Sequence, residues 1–293
     1  MASDFESRLK AYPFAEVEQA WTDRDAILYA LGLGFGHDPL DAAQLPFVFE
    51  EAPGFSAVPT MAVVLAGPGF WARNPDTGID WRKVLHGEQG MEIFRPLPTS
   101  GRVRATSRVT RVLDKGAGKG ALIYVERDLI DAATDERIAT LTSTTFARGN
   151  GGFGGEPGPQ PVPHPIPGRA PDLEIDLPTL PQAALIYRLS GDRNPLHADP
   201  AIARQAGFAA PILHGLCTLG VAGHAILRGC CGYDASRLRA LKLRFSSPVY
   251  PGETIRTQIW VDGGTVSFRA RAVDRDVTVL DNGRAEIFGT ATT

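Results

Sequence analysis

The 293-residue chain carries 30 Lys and Arg against 33 Asp and Glu, for a formal net charge of −3, with 43% hydrophobic and 22% charged residues. That is the composition of a soluble globular protein with about two domains of ~100–200 residues each. It offers no basic excess for nucleic acid, and no apolar run reaches the ~20 residues of a membrane-spanning helix.

The opening residues MASDFESRLK lack the apolar core of a secretory signal, and the final ATT is not a peroxisomal address. The expected compartment is therefore cytoplasmic. A helix is expected over Asp23–Leu31, with Thr22 in the capping position, followed by a short apolar stretch at Thr60–Ala66. Strand-like runs follow at Met91–Phe94, Arg102–Leu113, Ala121–Asp131 and Arg137–Ala147, with turns at Asp114–Lys119 and Thr134-Asp135. Between Gly149 and Gly168, 13 of 20 residues are Gly or Pro. Such a segment fits neither a helix nor a central strand. It divides the chain into an N-terminal half (1–148), a linker (149–168) and a C-terminal half (169–293).

The second half repeats the grammar of the first. A short helix is expected over Asp199–Ala206 and a longer, widely apolar one over Gly215–Leu227. Period-2 strands follow at Leu238–Phe245, Thr254–Val261, Thr265–Ala272 and Ala285–Thr290, separated by turns at Pro251-Gly252, Gly263-Gly264 and Asn282-Gly283. A helix wrapped by an antiparallel sheet, twice in one chain, is an α+β double hotdog.

Chemistry concentrates in Tyr187–His197, YRLSGDRNPLH, where Asp192, Asn194 and His197 share a Gly/Pro turn. A carboxylate and an imidazole that share one water can add it across a polarised double bond without a metal. Asn194 would orient the water or anchor the loop. A polar turn in which Asp192 and Asn194 bond their own backbone is the competing reading. Gly215 lies eighteen residues beyond His197, where the long helix should begin. Free N–H groups at a helix N-terminus stabilise a developing oxyanion, and glycine lets the ligand approach the backbone. His214 is read as structural. The first half has its own His86-Gly87 pair but no Asp-x-Asn-Pro-x-His, so it lacks a catalytic set. Its His-Gly pair contacts substrate or forms a turn leading into a strand. Gly32-Leu33-Gly34-Phe35-Gly36 follows a helix instead of opening one, unlike a dinucleotide loop. Arg237, Arg239, Lys242 and Arg244 are read as a solvated strand face. The adjacent Glu50 and Glu51 would point to opposite sides of a strand. Cys217, Cys230 and Cys231 form neither a disulfide framework nor a zinc set, and are expected as buried thiols.

Taken together, Tyr187–His197, Tyr29-Ala30-Leu31-Gly32-Leu33-Gly34, Leu85-His86-Gly87-Glu88-Gln89, Pro96-Leu97-Pro98, Val112–Gly116 and Gly151–Gly155 resemble the hydratase 2 (MaoC-like) family. Its members are (R)-specific 2-enoyl-CoA hydratases. The resemblance implies a double hotdog whose C-terminal half carries the active site and whose N-terminal half accommodates the acyl chain. It assigns water activation to Asp192 and His197, support to Asn194, and an oxyanion donor to Gly215. His86, Gly87, Lys115 and Phe245 would bind substrate. CoA belongs to the substrate, an acyl-CoA thioester of fatty-acid metabolism, and no cofactor or metal is implied. Two hotdogs in one chain satisfy the usual pairing internally, and a further homodimer is compatible with that arrangement. A hotdog acyl-CoA thioesterase and a non-catalytic acyl-CoA-binding protein are the alternatives. The (R) outcome rests on the resemblance alone.

Overall fold

The computed structural model describes residues 4–155 and 158–289. The first half runs α1 (Asp4–Lys10), β1 (Val17–Trp21), α2 (Asp23–Gly32), α3 (Leu45–Val48), β2 (Val84–Ile93), β3 (Gly101–Asp114), β4 (Ala121–Asp131) and β5 (Arg137–Ala147). The second runs β6 (Leu173–Pro178), α4 (Ala183–Tyr187), α5 (Pro200–Gln205), α6 (Gly215–Cys230), β7 (Leu238–Phe245), β8 (Thr254–Asp262), β9 (Thr265–Ala272) and β10 (Val277–Ile287).

All ten strands join one sheet in the order β1-β3-β4-β5-β2-β7-β10-β9-β8-β6. Each half contributes five strands in the same internal order, and the halves meet where β2 pairs antiparallel with β7, Gly90 opposite Lys242. The expected double hotdog is thus one continuous antiparallel surface. Strand alternation sets its two faces. On β9, Val266, Phe268, Ala270 and Ala272 are buried on the concave side.

That side of the second half is filled by α6, whose Cys217, Leu219, Val221, Ala222, Ala225, Ile226 and Leu227 are buried. Two glycines allow the close packing. A Cβ on Gly220 would lie 2.5–3.2 Å from the Leu33 side chain, and one on Gly223 would lie 2.7 Å from Thr60. In the first half the corresponding place, between α2 and β2, is held only by a 3-10 segment, Pro59–Val64, packed on β2 and β5. Proline at its start and β-branched Thr60, Val63 and Val64 weigh against a longer α-helix. Ala66 then turns through φ 46° with its N–H bonded to Gln19 Oε1 at 2.6 Å.

Most expected elements are present, with informative differences. Thr22 does occupy the α2 N-cap, but as donor: its N–H and hydroxyl both donate to Asp25 Oδ2 at 2.8 Å. Asp199 caps α5 by accepting from the Ala201 N–H at 2.7 Å. Asn282-Gly283 is not a turn between strands. It is an irregularity inside β10, which begins at Val277, and Asn282 takes φ 54° there. Thr290, the expected end of that strand, lies outside the described residues. The Gly/Pro segment is not a loose linker either. Asp114 accepts from the Gly152 and Gly154 N–H groups at 2.7 and 2.9 Å, and His164 bonds Ser267 Oγ at 2.8 Å while its carbonyl accepts from Asn282. Its described parts thus hold to the β3–β4 turn of one half and to β9 and β10 of the other.

Candidate active site

The Tyr187–His197 stretch leaves α4 through two 3-10 turns. Gly191 takes φ 127°, a conformation L side chains rarely adopt, which turns the chain into Asp192. The Asn194 N–H donates to Asp192 Oδ1 at 3.0 Å, and Asn194 Oδ1 accepts from the Leu196 N–H at 3.1 Å. The local turn bonds of the bland reading are therefore present. They occupy one carboxylate oxygen of Asp192, which is otherwise exposed.

The tertiary fold adds what a polar turn would lack. His197 is buried and lies 2.8 Å through Nδ1 from the Ile212 carbonyl. A carbonyl only accepts, so Nδ1 carries the proton and Nε2 is left as an acceptor. His214 Nε2 donates in the same way to the Asp192 carbonyl at 3.1 Å. The two imidazoles stack with centroids 3.8 Å apart and planes 27° from parallel. Titratable atoms of Asp192, His197 and His214 all lie within 4.8 Å of one another, a span that one water can bridge with two hydrogen bonds. Burial holds the His197 pKa below its ordinary value, outweighing the Ile212 bond and Asp192. His214 is pushed down too, by burial first and by His197 second. Both rings are neutral at pH 7.

Three donor atoms at this spacing also meet the distance requirement for a metal. The ring geometry disfavours one: imidazole lone pairs lie in the ring plane, and near-parallel stacked planes do not converge on one ion at ~2.0–2.1 Å from each nitrogen.

Gly215 is the first residue of α6. The Cys217 and Thr218 N–H groups already bond the His214 carbonyl, so the Gly215 and Leu216 amides precede the helical ladder. A Cβ on Gly215 would sit 3.1–3.5 Å from the Phe245 ring. Phe245 in turn packs on His86, centroids 4.8 Å apart.

His86 reaches this cluster from the other half because of a bulge. Its partner on β5 is Thr145, whereas Glu88 pairs with Thr144, so Gly87 is the extra residue. The shift turns His86 to the concave side with Gln89, while Glu88 faces the convex side and pairs with Arg244 at 2.7 Å. His86-Gly87 is therefore not a turn leading into a strand; it lies within β2, which starts at Val84. His86 keeps an edge open to solvent, yet lost hydration lowers its pKa, with Asp192 among the opposing influences.

The structure thus gathers Asp192, His197, Gly215, Phe245 and His86, with Gly87 shaping the approach and Asn194 bracing the loop. Lys115 stands apart, its ammonium 5.1 Å over the Phe146 ring at the β3–β4 turn. Sequence reasoning underrated His214, which precedes α6 and meets Asp192 and His197 of a separate turn. Other features stay outside the site. Arg239 and Arg244 pair with Glu92 and Glu88, Glu50 and Glu51 are exposed beyond α3, and all three cysteines are free and buried.

Fold and site define a double hotdog with one equipped half. The comparisons with known proteins agree. Residues 20–149 match the MFE-2 hydratase 2 N-terminal domain, and residues 163–283 match the MaoC like domain. A relative from Mycobacterium tuberculosis named 3-hydroxyacyl-thioester dehydratase Y is 42% identical over 274 residues, 91% of this chain and 92% of that protein. The crystal structure of a MaoC-like dehydratase from Phytophthora capsici superposes with a TM-score of 0.85 at 37% identity, covering 97% of this chain and 99% of that one. A third protein, from M. tuberculosis and reported to have a double hotdog fold, shares the fold at 15% identity and a TM-score of 0.56, covering 94% of this chain and 93% of its own. The chain belongs to the MaoC-like hydratase 2 family.

Proposed function

We propose that the protein catalyses reversible hydration of trans-2-enoyl-CoA to (3R)-3-hydroxyacyl-CoA in fatty-acid metabolism. The observation that carries this reading is that a ring nitrogen of His197 and a carboxylate oxygen of Asp192 lie within 4.8 Å of each other, with Nδ1 of His197 held by the Ile212 carbonyl, in the turn whose Asp192 carbonyl bonds His214, the residue before the N-terminus of α6. The thioester carbonyl accepts from the Gly215 N–H, drawing charge from C3. Water held between Asp192 and His197 attacks C3 and gives up a proton to this pair. A proton passes to C2, so one water is added across the double bond. His86 and Phe245 would line the approach, and Lys115 would contact the CoA moiety. No metal or redox cofactor is required.

The test is loss of enoyl-thioester absorbance with crotonyl-, decenoyl- and branched enoyl-CoA, followed by chiral analysis of the product. Rapid loss without thiol release supports hydration. Thiol release would instead indicate the thioesterase, and a predominantly (S) product would refute the stereochemistry. Three free thiols fit a reducing, cytoplasmic compartment, which cell fractionation checks. β2–β7 pairing already supplies the hotdog-to-hotdog contact, so the site needs no second copy. Light scattering reads any homodimer directly.

A further inference from the structure

The concave face of the first half is not apolar throughout. On β3, β4 and β5 most inward positions are buried hydrocarbon, but Ser107, Arg127, Ser143 and Thr145 are partly open to solvent. Register connects them. Thr145 lies opposite His86, Ser143 opposite Gln89, and Arg127 opposite Ser107. Each partly exposed, they form a polar seam that runs from His86 toward Arg127. It separates two apolar clusters, one containing Val109 and Val125, the other Leu129 and Leu141. The matching row on β9 in the second half is buried hydrocarbon beneath α6.

On the inward row of β4, Arg127 is the one charged residue between Ala121 and Leu129, and Asp131 ends the row at the turn. Its Nη2 donates to the Val63 carbonyl at 2.8 Å, whereas its Nε is shielded from solvent without a partner. Glu126 and Asp128 flank it in sequence but face the convex side, where both pair with Arg108. Among the described residues no carboxylate pairs with this guanidinium; enclosing such a group is costly, and lost hydration pulls its pKa down to about 10. The segment it grips also backs the catalytic loop: the Val64 carbonyl lies 3.9 Å from where a Gly191 Cβ would sit.

We propose that this seam is the distal part of the acyl-chain site and that Arg127 selects acyl-CoA substrates whose chain ends in a carboxylate. The proposal rests on the hydratase reading above and names its substrate class. Two strand spacings and four residues of strand separate His86 from Arg127, about 16 Å between their Cα atoms. The carboxylate therefore belongs at the end of a medium or long chain, remote from the thioester. A guanidinium fork is suited to bind it with two parallel hydrogen bonds.

The experiment compares kcat/KM for ω-carboxy-enoyl-CoA and unsubstituted enoyl-CoA of matched length, in the unmodified protein and in Arg127→Met and Arg127→Lys. The unmodified protein should prefer the ω-carboxy substrate. Arg127→Met should lose about 10- to 100-fold more on it than on the unsubstituted substrate, and Arg127→Lys should keep part of the preference. Equal losses on both substrates would show that Arg127 only braces Val63, and would overturn the proposal, as would the absence of any preference in the unmodified protein. Calorimetric binding of the saturated ω-carboxyacyl-CoA and its unsubstituted counterpart provides a readout independent of turnover. If neither enoyl-CoA is hydrated, the hydratase reading fails, and the same contrast in binding still decides the fate of the subsite. If Arg127→Met does not fold, the preference of the unmodified protein and its reduction in Arg127→Lys decide it.

Discussion

The two halves share one strand order and differ in what lies on the sheet. The second half carries the sixteen-residue α6, a hydrocarbon-lined concave face and the Asp192, His197 and His214 cluster. The first half carries a 3-10 segment, a polar seam and an unpaired arginine. A duplicated fold can thus assign chemistry to one copy and space to the other. In the proposed reaction the short segment of one half would leave room for the acyl chain, while the helix N-terminus of the other would serve the oxyanion.

The largest expected effect tests that division of labour. Asp192→Ala and His197→Ala should each lower kcat by about 10²–10⁴-fold with the melting temperature nearly unchanged, measured by enoyl-thioester absorbance and thermal scanning. Near-normal turnover in both purified variants would mean that the second half does not hold the chemistry.

A smaller effect probes how tightly α6 is seated between the halves. Leu33 is 1% exposed and has little room to retreat from a Cβ at Gly220. Gly220→Ala should cost about 1–3 kcal/mol from overpacking, read as a lower urea midpoint at unchanged slope. An unchanged midpoint would show that the interface yields.

The smallest is a pH dependence. Burial lowers the pKa of His197 and His214, and takes that of His224, stacked on Phe35 at 3.6 Å, down to about 4. Below the unfolded value of about 6.5 the unfolded chain binds protons that the folded one does not. Stability therefore falls as pH drops from there toward 4. The melting temperature should decline across that window, and His224→Phe should flatten part of the decline. A level profile from pH 7 to 4 would contradict the neutral buried rings.

Much of this was legible in the chain. Ala121–Asp131, Arg137–Ala147, Leu238–Phe245 and Thr265–Ala272 coincide with β4, β5, β7 and β9 because alternation on a half-buried sheet is a local pattern. The apolar run after Gly215 marks α6, and Asp192 with His197 marks the catalytic turn. By contrast β1 and β6 are only five and six residues long, too short to stand out even though Leu173–Leu177 alternates, and are strands because a neighbour pairs with them. Gly87 as a bulge and Gly283 as a register shift were not legible either, since both depend on the partner strand.

The sequence by itself determined the segments, their faces and the candidate acid–base pair, because local periodicity and turn chemistry act over a few residues. Only the tertiary structure decided which imidazole nitrogen is free, that His214 stacks on His197, that His86 crosses from the other half to meet Phe245, and that Arg127 pairs with no carboxylate among the described residues. Each of these depends on groups brought together from distant segments, where burial removes water and leaves the remaining partners to set protonation and reach.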